Sequence, residues 1–291
     1  MPQSAALLVT ATIVTLMFSL GLGLKDYPFV LLRDRPAFLW RVVLGTCLLV
    51  PLAGLVLVLL PLQGTLSHPA WVAIALMLAC PSAPLILFRV RSSGGTAELA
   101  ARLQISAALV AIVSIPLMAM VVKSSLGIEG WEIRPAQVGV QVLKVQVLPV
   151  IAGVLLSQWQ PRLAQRGSRV LGGLATALLL LMLVALLVLS ARDLLPFLRQ
   201  NVGALACMAG LSALSLAVGY GLAGRDPQER RTVALVTGMR NTGLAAQLAL
   251  TYAPQALMPE LIPGILSYVL ITVIVSTLFL KWQQHEIGES T

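Results

Sequence analysis

Arg240 and Asn241 stand side by side in "VTGMRNTGLA", residues 236–245, inside an otherwise apolar segment. Their chemistry is recognition rather than bond breaking. A guanidinium stays protonated in proteins and presents its donors in a planar fork that matches a carboxylate. The asparagine amide adds two donors and an acceptor. Thr237, Met239 and Thr242 complete a candidate lining, and Ser82, between Pro81 and Pro84 in "ACPSAP" (79–84), is a further candidate contact. Nothing in the sequence has the makings of a reaction centre: no buried carboxylate, no buried histidine and no nucleophile beside a base. His68 and His285 fall in a loop and a tail. Cys47, Cys80 and Cys207 lie singly in apolar runs without CxxC spacing and read as small buried side chains. Neither an enzyme, nor a cofactor, nor a bound metal is expected.

The elements that must position these residues are membrane helices. Of the 291 residues, 58% are hydrophobic and 11% charged, with a mean hydropathy of +0.92; soluble domains carry about a quarter charged residues. Charge-poor windows of about 20 residues recur, the length a helix needs to cross a bilayer. They predict an all-α polytopic protein with nine spans near 5–24, 42–61, 69–88, 103–122, 138–157, 170–191, 203–223, 231–252 and 261–280. The first is read as a span rather than a cleaved signal, because it lacks a basic leader and its apolar run is long.

The net charge of +9 follows from topology. Loops after the odd-numbered spans carry Lys25, Arg33, Arg35 and Arg41; Arg89, Arg91 and Arg102; Arg162, Arg166 and Arg169; Arg225, Arg230 and Arg231. The other side holds only Lys123, Arg134, Arg192 and Arg199. The positive-inside bias predicts an N-terminus outside and a C-terminus in the cytoplasm. The lipid bilayer is the expected partner; no nucleic acid and no obligate protein partner is expected. The longest loop, 123–137, is too short for a domain, and its Trp131 suits the headgroup level.

Two spans should be broken. Pro81 and Pro84 interrupt the third at mid-depth, since proline lacks an amide and clashes with the preceding turn. Gly238 and Gly243 flank a polar tetrad in the eighth. Exposed backbone at that depth survives only where protein or a water-filled cavity satisfies it. The breaks are an odd number of spans apart, so the two helices run in opposite directions. Such a pair points to a secondary transporter with a midplane site. Two ordinary kinked helices are the plain alternative.

At these residues the chain resembles the bile acid:sodium symporter superfamily. "RRTVALVTGMRNTGLA" is similar to that family's Gly-x-x-Asn-x-Gly-Leu-Ala run on a discontinuous helix. "FSLGLGLKDYPFVLLRDRP" (18–36), "ACPSAP", Gly95, "LKVQVLPVIAG" (143–153) and "IPG" (262–264) follow in the family's order. The resemblance is to a divergent, bacterial-type member and implies the inner membrane. It implies an inverted repeat, four spans plus five, with two discontinuous helices crossing at mid-membrane. A panel would comprise the spans near 5–24, 138–157 and 170–191, and a core the remaining six. Substrate would bind between them.

The resemblance also carries an absence. Positions where sodium-coupled members have ligands are occupied here by Thr46, Ile86, Leu87, Ala100, Gln104, Val236 and Arg240. Hard cations need several oxygen ligands, usually with a carboxylate, and most of these side chains offer none. Arg240 would repel a nearby cation and itself supply a fixed positive charge. Both family sodium sites are therefore expected to be missing, and no buried acid offers a proton relay.

A mid-membrane arginine costs roughly 2.5–3.5 kcal/mol on insertion scales, which by default marks function. Arg240 either attracts an anionic group, helped by the half-helix after Gly243, or bonds carbonyls of the broken third span. Asn241 either binds substrate or satisfies the break. Lys144 is read as snorkelling to the headgroups, and Gln104 as an interhelical hydrogen bond as readily as a ligand. The resulting expectation is a carrier or facilitator of a small organic anion. A non-transporting receptor on the same scaffold is the alternative. An arsenite-type carrier using Cys80 is a lesser one, since it needs an activated, reachable thiol.

Overall fold

The computed structural model describes residues 3–24, 30–59, 66–83, 86–126 and 134–288. Every regular element among them is a helix. α1 (Gln3–Leu22) and a short α2 (Val30–Asp34) are followed by α3 (Pro36–Leu44), which passes through a π turn (Gly45–Leu49) into α4 (Val50–Leu59). α5 (His68–Ala79) and α6 (Ile86–Ser92) are the two pieces of the third apolar segment. α7 (Ala97–Leu126) precedes α8 (Pro135–Val142), a second π turn (Leu143–Val147) and α9 (Leu148–Trp159). α10 (Pro161–Leu189), α11 (Ala191–Gln200) and α12 (Val202–Leu222) come next. α13 (Pro227–Gly238) and α14 (Thr242–Tyr252) divide the eighth segment, and α15 (Met258–Gly288) ends the fold. Seven stretches among the described residues are long and apolar enough to cross a bilayer: Ser4–Leu22, Pro36–Val56, Ala97–Val121, Pro135–Trp159, Pro161–Leu189, Val202–Leu222 and Gln255–Gln284.

Several helices extend past the charge-free windows. They open at Pro36, Pro161 and Pro227, where a missing amide costs nothing in a first turn. Ser67 and Asp226 cap α5 and α13 by accepting from Ala70 N and Glu229 N. A window chosen to exclude charge ends where the first arginine stands, whereas hydrogen bonding carries the helix on. α11, "ARDLLPFLRQ", was not expected; it buries Phe197 and leaves Arg192 and Arg199 exposed.

Both π turns stand just before a proline. In the wide turn the amide of Val50 reaches the Gly45 carbonyl, so the next amide in register belongs to Pro51, which has none. The Thr46 carbonyl is thereby left without a main-chain donor. The second π turn repeats the pattern, with Leu148 N on Leu143 O and then Pro149.

α1 packs along α9 and α10, while α15 packs on α5 and α12, and α12 on α13. Paired glycines let α1 and α9 touch backbone to backbone. A Cβ on Gly21 would lie 2.3 Å from the Val150 carbonyl oxygen, and one on Gly153 would lie 2.3 Å from that of Phe18. Apolar side chains of α10 such as Val170, Val184 and Val188 stay exposed, as lipid contact requires. At the arginine-bearing end, Arg35 grips Glu229 through two hydrogen bonds of 2.6 and 3.2 Å. That contact, opposed by partial burial, holds the Glu229 carboxyl below the usual carboxylate range. Arg231 donates to the Ser93 carbonyl at 2.6 Å, and Arg89 to Thr277 and Ser276.

Candidate functional site

The two breaks complete each other. α5 stops at Ala79, Cys80 turns extended, and Ser82 takes a left-handed φ of 34°. α13 stops at Gly238, and Met239 is extended before Asn241 caps α14 by accepting from Leu244 N at 3.1 Å. Ala83 N then donates to Met239 O, and Asn241 N to Cys80 O, both at 3.1 Å. Each broken helix thus supplies the backbone partner the other lacks, which buried amides require. Gly238 is held close to Leu216, whose side-chain carbons would lie 2.6–2.7 Å from an added Cβ. Pro84 and Trp131 lie outside the described residues.

Arg240, 3% exposed, reaches from the α13–α14 break to the second apolar segment. Its Nη1 donates to the Thr46 carbonyl at 2.9 Å. The acceptor is therefore the oxygen freed by Pro51, and the expected bond to the third segment is replaced by one to the π turn. Nε and Nη2 have no partner among the described residues, nor has Asn241 Nδ2. Thr46 and Thr237 share a buried 3.0 Å hydroxyl contact.

Met239, Arg240, Asn241, Thr242 and Gly243 line a cavity of about 40 Å³ with Thr12, Ile13 and Leu16 of α1, Met77 of α5 and Ala83 of the break after it, Leu179, Met182 and Leu183 of α10, and Val269, Thr272 and Val273 of α15. Of the other candidates, Ser82 is buried with its Oγ unpartnered, one residue from the cavity wall, and Thr237 is buried against Thr46, outside the lining. Gln104 is buried with no hydrogen bond from its amide, so it makes no interhelical bond among the described residues. Lys144 is exposed on the second π turn. Thr12 and Thr272 escaped the sequence reading; Thr12 donates to Leu8 O in its own helix and Thr272 shares a hydroxyl contact with Ser212 of α12, and hydroxyls in apolar helices carry no distinguishing pattern.

A second space of about 930 Å³ adjoins the first, sharing Leu16 and Leu179. Its walls are α1 and α10 on one side and α6 and α7 on the other, and Arg91, Glu98 and Arg169 stand on its rim. A family model described as sodium bile acid symporter family matches residues 10–196. The chain belongs to that family. No curated protein matches it.

Members of the sodium bile acid symporter family are transporters, so this chain is an integral membrane protein of transport. The family match ends before α13, so Arg240 and Asn241 lie beyond the matched residues. The positions compared with the family's sodium ligands converge in space all the same. Ile86, Ala100 and Val236 pack in one apolar cluster with Leu103, Leu216 and Met239, and Leu87 packs against it. Arg240 and Thr46 are in direct contact. An apolar cluster and a guanidinium do not fit a hard cation, which requires oxygen donors.

Proposed function

We propose that the chain carries a small organic anion by alternating access, and that sodium does not drive it through the family's sites. The guanidinium carries this reading: its Nε–Nη2 edge is buried and unpaired, Nη1 is anchored, and the residue belongs to the cavity wall. That edge matches a carboxylate bidentately, and Asn241 Nδ2 and the N-terminus of α14 add donors beside it. The anionic head would bind Arg240, and its body would extend past Leu16 and Leu179 into the wider space.

In this reading α1, α8–α9 and α10 form the panel and the remaining spans the core, with nine crossings in a four-plus-five inverted repeat. The arginine-rich face is cytoplasmic and the membrane is a bacterial inner membrane. The crevice then opens inward. A permanent guanidinium supplies the positive charge that bound sodium would otherwise supply, leaving uniport or exchange, with membrane potential acting on the anion.

Uptake of an organic-anion panel into proteoliposomes, with inward sodium against matched potassium, tests this for the wild type and Arg240→Ala. The expected result is equal flux in either salt and its loss in the variant. Clear sodium stimulation of the wild type would refute the built-in cation. Saturable binding without flux would replace the carrier with a receptor.

A further inference from the structure

The path to Arg240 is ordered along its helices. On α1, Thr10 bonds α14, Thr12 and Ile13 line the small cavity, and Ser19 and Gly23 line the wide space. On α14, Thr242 and Gly243 border the cavity, while Gln247 and Thr251 stand about one and two turns further from it. The cavity therefore meets the wide space on its arginine-bearing side and a polar layer on the other.

That layer consists of two side-chain hydrogen bonds between helices. Gln247 Nε2 donates to Thr10 Oγ1 at 3.0 Å, joining α14 to α1. Gln141 Nε2 donates to Thr251 Oγ1 at 3.3 Å, joining α14 to α8. Each hydroxyl passes its own proton to a carbonyl within its helix, Thr10 to Ala6 and Thr251 to Gln247. By contrast, the broken helices are joined to each other by backbone bonds.

We propose that Thr10–Gln247 and Gln141–Thr251 form the gate that closes the Arg240 site from the face opposite the arginines. They must part for the site to open there. This rests on the alternating-access reading above. The chemistry suits a reversible closure. Gln247 Oε1 is buried without a partner in the closed layer. Water admitted on opening satisfies it, which offsets the bonds that are lost. A fully satisfied layer would have no such compensation.

The test needs no substrate. In a chain with Cys47, Cys80 and Cys207 changed to alanine, Thr242→Cys reports access to the cavity through its rate of modification by a membrane-impermeant methanethiosulfonate added from either face. Gln247→Ala is expected to raise labelling from the face opposite the arginines by about threefold or more, the scale of one interhelical hydrogen bond. Oxidising a Thr10→Cys/Gln247→Cys pair should abolish labelling from that face and leave labelling from the arginine face intact. An unchanged rate in folded Gln247→Ala, or undiminished labelling in the locked pair, overturns the proposal. Should Gln247→Ala fail to fold, Gln141→Ala with Thr251→Ala tests the second contact by the same criterion. Labelling reports access alone, so a failed anion reading shows separately, as flux indifferent to Arg240→Ala.

Discussion

Replacing Arg240 separates recognition from scaffolding, because the two roles predict opposite changes in stability. The side chain is 3% exposed and spends one nitrogen on Thr46, with two left unpaired. Hydrogen bonds to a charged group contribute about 1.5–3 kcal/mol, so Arg240→Leu should lower uptake at subsaturating anion by about ten- to 150-fold. Arg240→Lys keeps the charge without the fork and should recover only part of that loss. For stability, the leucine variant leaves the Thr46 carbonyl unpaired at about 1–3 kcal/mol. It also relieves a buried charge whose burial costs several kcal/mol even after relaxation. The unfolding temperature should therefore stay level or rise while flux collapses. Initial-rate uptake in proteoliposomes and thermal unfolding of the same preparations measure both. Leucine-variant flux within about twofold of wild type, or a flux loss matched by a drop in stability of about 3 kcal/mol, would refute the reasoning and make the arginine a strut.

Three further outcomes are expected. Leu16→Ala and Leu179→Ala should widen the junction of the two spaces and raise the flux of bulkier carboxylates relative to small ones, with dependence on Arg240 retained; an unchanged size profile across the panel would count against a junction at these residues. Glu229, with its folded-state pKa depressed by Arg35, contributes stability that is present above the ordinary carboxylate range and lost as pH falls through the folded pKa. Glu229→Gln should cost about 1 kcal/mol at neutral pH and flatten the acid limb of a stability–pH curve. Gly153→Val should destabilise by at least about 1–3 kcal/mol, because its Cβ meets α1 backbone that has no room to move; an unchanged unfolding temperature would contradict the close helix contact.

The breaks were legible because proline and glycine act locally. "ACPSAP" ends a helix at Ala79 whatever surrounds it, and "TGMRN" ends one at Gly238. The candidate residues Met239, Arg240, Asn241 and Thr242 were legible for the same reason: polar groups in an apolar segment need a partner or a use, and all four reach one cavity wall. The acceptor for Arg240 was misplaced. The freed Thr46 carbonyl depends on a π turn, and Pro51 alone does not say whether the wide turn or an ordinary kink forms around it. Thr12 and Thr272 were missed: Thr12 bonds its own helix and Thr272 bonds Ser212 of α12, and a lone hydroxyl in an apolar helix looks the same in sequence whether it faces lipid or a cavity.

By itself the sequence determined the solvent and the weak points of the backbone. Charge-poor windows commit the chain to a bilayer, and prolines and glycines fix where its helices must stop. Tertiary structure decided which unsatisfied groups meet. Cys80 and Asn241, Met239 and Ala83, and Thr46 and Arg240 are each more than 150 residues apart, yet each pair is joined by one hydrogen bond of 2.9–3.1 Å. Composition creates the need for such partners, but a hydrogen bond is directional and short, so only the packed arrangement of helices chooses among them.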